Sequence, residues 1–343
     1  MQQISIVLIG FGNIGKAFAR LILRKKEQLA VYQGIELQVT GIATLRHGTA
    51  INPSGIDLLH ALELIENGDS LIPLSTHPSP VGIIDFISNC PGDVLLENSI
   101  VNHNTGEPAI SHIRTALERG MHVITANKGP VAHAYHEINK LAGEKNRRFM
   151  FESAVMDGAP IFSLFRYPLP AIELRSFEGI LNSSTNLIFE RMEQGDGFDQ
   201  AIAYAQSVGI TEADPAADVD GWDAAIKIAA LVTVLFGIPF KPQQVERQSI
   251  RGITPEMVAQ ALRAGERWKV ICKAWRQGDQ IRAYVIPQKV KPDSIYYSIT
   301  GSSSYVQFET DVLPGLGIVE GNPGPETTAY GILADLINIY RNC

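Results

Sequence analysis

The sequence predicts an α/β protein that opens on a doubly wound parallel sheet and continues into a second domain of different rhythm. Three observations carry that expectation. An apolar run, a glycine-rich turn and a helical pattern follow one another at the N-terminus. Strand-like and helix-like patterns then alternate, which favours parallel strands joined by helices. After the basic stretch EKNRR (Glu144–Arg148) the alternation changes, and a domain boundary is expected near residue 150.

Ile4 to Ile9 is a short apolar run, suited to a strand buried on both faces. Gly10, Gly12 and Gly15 follow in G-x-G-x-x-G spacing, and Ile14, Ala17, Phe18, Leu21 and Ile22 recur at helical periods. This is the order a Rossmann dinucleotide-binding unit needs. Gly10 permits the tight turn, Gly12 lets the backbone approach a pyrophosphate, and Gly15 lets the helix pack closely. Free N–H groups and the dipole at the helix start favour the anion. A ligand-free strand-to-helix turn could carry the same glycines, but the flanking elements and the N-terminal position favour a nucleotide.

The next strand is read from Leu37 to Thr44. An NAD-preferring site usually ends this strand with an acid that binds the ribose 2′-OH. Here TLRHG stands instead, with no carboxylate and with Arg46 placed to meet a 2′-phosphate. That argues for NADP(H), with NAD(H) as the alternative. GDVLLENS (Gly92–Ser99) reads as another buried strand, AISHIRTALERG as an amphipathic helix ended by Gly120, and MHVITANKGPV as a strand leading into a loop. Ligands of such sheets sit beyond the carboxyl ends of the strands, so Lys128 in TANKGP is a candidate site residue.

Composition narrows the function classes. A chain of 343 residues is long enough for two domains with a sizeable core. The formal charge of -7 is spread along the chain, which disfavours nucleic acid or an anionic membrane as a partner. MQQISIVLIGFG has neither a basic start nor a cleavage site, so no secretory signal is expected. The apolar run Ile228–Pro239 is too short to span a bilayer. Cys90, Cys272 and Cys343 are far apart and in no metal-ligand spacing, which suits reduced thiols in a cytoplasm.

The second half holds the candidate chemistry. Phe177–Leu181 is strand-like, NSSTNLIFERMEQG turns into a helix that Ser or Thr of STN can cap, and FDQAIAYAQSVGI is a helix ended by Gly209. TEADPAADVDGWDAAIK then carries Glu212, Asp214, Asp218, Asp220 and Asp223 ahead of Lys227. A solvated acidic loop at a helix start would account for the carboxylates. It does not account for Lys227, whose helix is otherwise almost wholly apolar. A half-buried ammonium needs a carboxylate partner or it loses its proton, and Asp223 lies one turn away. A lysine so held can donate a proton to a carbonyl oxygen as hydride arrives.

The stretches GFGNIG, TGEPAISHIRTALERGMHVITANKGPVA, GILNSSTN, AQSVGITEADPAADVDGWDAAIKIAAL and GNPGPETTAYGILADL together resemble homoserine dehydrogenase in its short form, without aspartate kinase or a regulatory C-terminal domain. The resemblance runs from the first strand to the last helix. It implies reversible reduction of L-aspartate 4-semialdehyde to L-homoserine with NADPH or NADH, on the route to threonine and methionine. It implies a Rossmann domain over 1–150, an α+β catalytic and dimerisation domain with a mixed sheet over 151–325, and a C-terminal helix over 326–343 returning to the nucleotide domain. By the same resemblance Lys227 is the proton donor, Asp223 its partner and a substrate contact, and Glu212 the ligand of the substrate amino group, with Asp218 beside it. Lys128 approaches the nicotinamide and the reacting oxygen, and either lysine could deliver the proton. Gly10, Gly12, Asn13, Ile14, Gly15, Arg46, Thr125, Asn127 and Lys128 would hold the cofactor. Members usually form homodimers through the second domain's sheet.

The resemblance also implies a monovalent cation, Na+ or K+, held largely by backbone carbonyls of Glu152, Val155, Asp157 and Ala159. Here the usual small residues of that loop are replaced by Met156 and Asp157, Ser183 stands where glycine is usual, and GNPGPET replaces a Gly-Ala-Gly run. These departures keep two alternatives open: a sister dehydrogenase of another small amino or hydroxy aldehyde, and a non-catalytic NADP-binding sensor. Aspartate semialdehyde dehydrogenase is disfavoured, since it needs a thiolate nucleophile and Cys90 has no partnering histidine motif.

Overall fold

The computed structural model describes residues 1–211 and 214–341. The chain divides into two compact units, one of Met1–Pro160 with the segment from Gly324 onward, the other of Ile161–Pro323.

The first unit contains β1 (Gln2–Ile9), α1 (Asn13–Gln28), β2 (Ile35–Ala43), β3 (Thr49–Ile51), α2 (Leu58–Asn67), α3 (Gly82–Asn89), β4 (Val94–Glu97), α4 (Ala109–Glu118), β5 (His122–Thr125), α5 (Lys128–Glu144) and β6 (Phe149–Met150). The C-terminal helix, Pro325–Tyr340, completes it. The sheet order is β3-β2-β1-β4-β5-β6, parallel throughout except for the antiparallel edge strand β3. Ile4, Ile6, Val7 and Leu8 are all fully buried, as a strand covered on both faces requires. Helix α1 buries Phe18, Ala19, Leu21 and Ile22, and each large side chain so buried contributes about 1.5–3 kcal/mol. The C-terminal helix adds Ala329, Ile332, Leu333 and Leu336 to the same core. Strand order reverses between β1 and β4, where Ile9 lies beside Glu97. That switch point is where an open α/β sheet binds ligands.

Two local expectations need correction. The strand read as Gly92–Ser99 is shorter, leaving Asn98 and Ser99 beyond its end. The segment after β5 is not a loop: α5 begins at Lys128 itself. Asn127 accepts a hydrogen bond from Gly129 N at 2.9 Å and caps the helix. Pro130 falls in the first turn, where its missing N–H would have had no intrahelical partner.

The second unit contains α6 (Phe162–Arg166), β7 (Leu174–Ile180), α7 (Ser183–Glu193), α8 (Phe198–Ser207), α9 (Ala216–Val219), α10 (Trp222–Leu231), β8 (Glu246–Arg247), α11 (Pro255–Arg263), β9 (Arg267–Gln277), β10 (Gln280–Val290), β11 (Ser304–Thr310) and β12 (Leu316–Glu320). Its sheet, ordered β12-β11-β7-β9-β10-β8, is antiparallel except where β8 runs parallel to β10. Helices α7, α10 and α11 pack against β9. Ile180, Ile271, Val290, Ile299 and Tyr305 form a separate apolar cluster, joined by Tyr284, Tyr296 and Tyr297. The cap of α7 also differs from expectation. Asn182, not a residue of STN, precedes the first helical turn and accepts from Thr185 N at 2.8 Å. Asn caps as well as Ser does, and Ser183 is already helical. Among the described residues no helix is long and apolar enough to cross a membrane.

Candidate functional site

In the first unit the glycine turn is built as its spacing requires. Gly10 has φ 88°, and a Cβ there would collide with the Asn98 carbonyl oxygen. Gly15 is equally confined, its Cβ position only 2.6 Å from Gly10 O. Gly12 has open space where a Cβ would be, the clearance a pyrophosphate needs. Gly12 is also the N-cap of α1 and supplies no capping side chain, and no acid sits in that first turn. Asn13 and Ile14 therefore begin a helix whose positive end is available to an anion. Arg46 is exposed on the turn after β2.

The carboxyl ends of β4 and β5 are cross-linked beneath this turn. Glu97 is fully buried. Its carboxylate meets His112 Nδ1 at 3.2 Å and accepts from Ser99 N at 3.2 Å. Thr125 donates to Glu97 O at 2.7 Å and accepts from Asn127 N at 2.9 Å, while Asn127 Nδ2 donates to Ser99 O at 3.2 Å. This lattice fixes the start of α5 and the half-buried Lys128. Just beyond β4, the amide atoms of Asn98 and the hydroxyl of Ser99 are buried with no partner among the described residues. Orphaned buried polar groups ask for a ligand, so the residues present fit a dinucleotide.

Glu152, Val155, Asp157 and Ala159 lie together on one buried loop of this unit, fastened to the C-terminal helix. Glu152 N donates to Asp335 Oδ2 at 2.7 Å, Ser153 Oγ donates to Thr328 O at 2.8 Å, and the Thr328 hydroxyl donates to the Asp157 carboxylate. Asp157 has φ 37°, a left-handed backbone held by this setting. Among the described residues no three His, Cys, Asp or Glu side chains gather as a metal site. A cation here would depend mainly on main-chain carbonyls, and the close loop is compatible with that.

In the second unit the acidic stretch divides by direction. Asp214 accepts from Ala216 N at 3.0 Å and stabilises the turn into α9. Asp220 faces outward and is held by Arg251 at 2.8 Å and Ser249 Oγ at 2.8 Å, which keep its carboxyl below the usual range. Asp218 and Asp223 face inward. Asn182 Nδ2 donates to Asp218 Oδ1 at 2.7 Å and to Asp223 Oδ2 at 3.0 Å. Lys227 Nζ lies 3.2 Å from Asp223 Oδ2 and donates to Leu181 O at 2.7 Å. The Lys227 and Asp223 side chains are 16% and 13% exposed, so this pair is no surface salt bridge. Burial, reinforced by the neighbouring Asp223 charge, pushes the Asp218 carboxyl above its usual range. Glu212 lies outside the described residues.

The structure thus brings together Asp218, Asp223 and Lys227 in one unit, and the glycine turn, Thr125, Asn127 and Lys128 in the other. The sequence reading missed Leu181 and Asn182, which hold the lysine and the carboxylates, and Asn98 and Ser99 beyond β4. Asn182 could have been found as a cap candidate directly before a helical pattern.

Comparison with known proteins agrees along the whole chain. Residues 160–337 match the family model described as homoserine dehydrogenase, and residues 10–152 the model described as homoserine dehydrogenase, NAD binding domain. The chain is 35% identical to a homoserine dehydrogenase of Methanocaldococcus jannaschii, covering 98% of each protein. It is 33% identical to an NAD(+)-dependent homoserine dehydrogenase of Pseudomonas canavaninivorans, over all of this chain and 97% of that one. A hyperthermophilic archaeal homoserine dehydrogenase solved in complex with NADPH superposes with a TM-score of 0.82 at 28% identity, covering 98% of both chains. The Thiobacillus denitrificans homoserine dehydrogenase structure gives the same TM-score at 28% identity, over 99% of this chain and 73% of that one.

Proposed function

The chain belongs to the homoserine dehydrogenase family, NAD(P)-dependent oxidoreductases acting on a CH–OH group, and from that premise we propose that it reduces L-aspartate 4-semialdehyde to L-homoserine, reversibly, with NADPH. The observation that carries the reading is Lys227, a shielded ammonium held between the Asp223 carboxylate and the Leu181 carbonyl.

NAD(P)H, when bound, would supply the hydride for the aldehyde carbon. Lys227 gives the proton to the carbonyl oxygen as charge develops there, and Asp223 keeps the lysine charged and aimed. Asp218, Asp223 and Glu212 offer carboxylates to the substrate's α-ammonium group. The α1 N-terminus with Gly10, Gly12, Asn13, Ile14 and Gly15 would cradle the pyrophosphate, and Thr125, Asn127 and Lys128 the nicotinamide side. In this reading Lys128 would supply positive charge at the nicotinamide.

NADPH is favoured because Arg46 replaces the acid usual after the second strand, and the archaeal relative was solved with NADPH. The NAD(+)-dependent relative from Pseudomonas supports the second reading, use of NADH. A Na+ or K+ ion at Glu152, Val155, Asp157 and Ala159 is proposed as a loop stabiliser, and no step of the reaction runs through it. A homodimer through the second unit's sheet is proposed from the family resemblance. The product would feed threonine and methionine synthesis in the cytoplasm.

The test follows NADPH absorbance on addition of L-aspartate 4-semialdehyde, with Lys227→Ala alongside. Turnover by wild type and its loss in the variant is the expected result. An inert wild type that still binds NADPH would redirect the assignment to another aldehyde or to the sensor reading.

A further inference from the structure

We infer that Asn182 is a positioning residue for the reaction: its amide N–H groups fasten Asp218 and Asp223 to one point while its carbonyl oxygen fixes the start of α7. The inference rests on the homoserine dehydrogenase reading and adds a residue to it.

The geometry is economical. The strand-to-helix junction after β7 is two residues long, and both act on the same cluster. Leu181 offers its carbonyl to Lys227, and Asn182 offers Nδ2 to both carboxylates. The Asn182 oxygen is meanwhile committed to Thr185 N, which fixes the orientation of the amide. Two carboxylates of α9 and α10 brought this close repel one another, and Lys227 neutralises only part of that charge. The amide hydrogens supply the remaining positive edge without adding a titrating group.

The junction is itself anchored one turn further along α7. Asn186 Oδ1 accepts from Lys269 Nζ at 2.6 Å, and Asn186 Nδ2 donates to Gly301 O at 2.8 Å. Lys269 reaches on to Ile299 O at 2.5 Å. One helix face therefore carries two asparagines at i and i+4, the first turned to the carboxylates, the second tied to β9 and the 299–301 segment. The groups facing the carboxylates include Asn182 at the cap of α7, Ser184 from α7, Lys227 from α10 and the buried Cys272 from β9.

Asn182→Asp separates the two roles of the side chain. Aspartate caps a helix as well as asparagine but donates nothing from its ionised form and adds a third carboxylate. The variant is expected to bind NADPH as wild type does, while kcat for L-aspartate 4-semialdehyde falls about 100-fold, the scale set by misplaced catalytic groups. A 13C-carboxyl NMR titration should place the Asp218 midpoint higher in the variant. Asn182→Ala, which loses both roles, should also lose stability. Wild-type kcat in Asn182→Asp, or in a folded Asn182→Ala, would overturn the inference and leave Asn182 a cap. If wild type itself fails to reduce the aldehyde, the family-based reading fails separately, and an Asp218 midpoint unmoved in Asn182→Asp would overturn the positioning role.

Discussion

Lys227 donates to the carbonyl oxygen of Leu181 at 2.7 Å, and the acceptor is main chain. A backbone acceptor fixes the ammonium to the fold itself, at the end of β7. Lys227→Arg should therefore fail to restore activity. A guanidinium is planar and too wide for a site shaped around one compact charge with one carbonyl and one carboxylate. Expected is a loss in kcat of about 10²–10⁴, the usual scale for a removed general acid, with KM for NADPH unchanged. Steady-state kinetics of Lys227→Arg beside Lys227→Ala checks this.

Asp218→Asn should stabilise the protein near neutral pH while impairing turnover. The folded-state carboxyl titrates above the ordinary 3.8, chiefly because it is buried and then because Asp223 stands beside it. Between the unfolded and folded values the folded state binds more protons, so stability falls as pH rises through that interval. The amide removes this penalty above the folded value and gains nothing well below 3.8. Thermal melts across the acid range should find the variant's Tm above wild type near neutrality, by about 2–4 °C for each kcal/mol relieved, with the difference closing as pH falls.

Lys269 gives the opposite sign. It is 3% exposed, and burial lowers its pKa from 10.5 to about 8. Between those values the unfolded chain binds more protons, so the second unit should gain stability as pH rises from about 8 toward 10.5. Trp222, Trp268 and Trp275 all lie in this unit and report its unfolding. Lys269→Met should flatten the rise. It should also cost about 1–3 kcal/mol near neutral pH, because the Asn186 oxygen and Ile299 carbonyl lose their donor. Urea denaturation followed by tryptophan fluorescence at several pH values checks both.

Arg46→Asp should reverse cofactor choice. The side chain is exposed on the turn after β2, so the fold should tolerate the change. A carboxylate there repels a 2′-phosphate and can accept from a ribose 2′-OH. KM for NADPH should rise about tenfold or more, as the loss of a charge-assisted hydrogen bond implies, and KM for NADH should hold or fall. Parallel titrations of both cofactors decide it.

The parts legible in the sequence are those whose cause is local. β1, the glycine turn and α1 were readable because periodicity and backbone freedom act over a few residues. Lys227 was readable because a charge in an apolar helix is anomalous wherever the helix sits. The hold of Asn182 on the two carboxylates was not, because its partners stand 36 and 41 residues away and only its capping position is a local signal. Lys269 hid for the same reason, its acceptors lying 83 and 30 residues off. The start of α5 was misread because TANKGP carries turn-forming residues, and only the Asn127 cap reveals that they begin a helix.

The tie between Glu152 and Asp335 joins positions 183 residues apart. On the ribosome, the 152–159 loop is complete in sequence long before the helix that braces it is made. The entire Ile161–Pro323 unit is synthesised in between. A nascent chain can thus assemble most of its first sheet early and still carry an unbraced loop and an uncovered patch of core until Ala329, Ile332, Leu333 and Leu336 arrive. Translation order makes the last helix the closing step of the first domain to emerge, and a chain stalled before it would be exposed to chaperones and proteases at that patch.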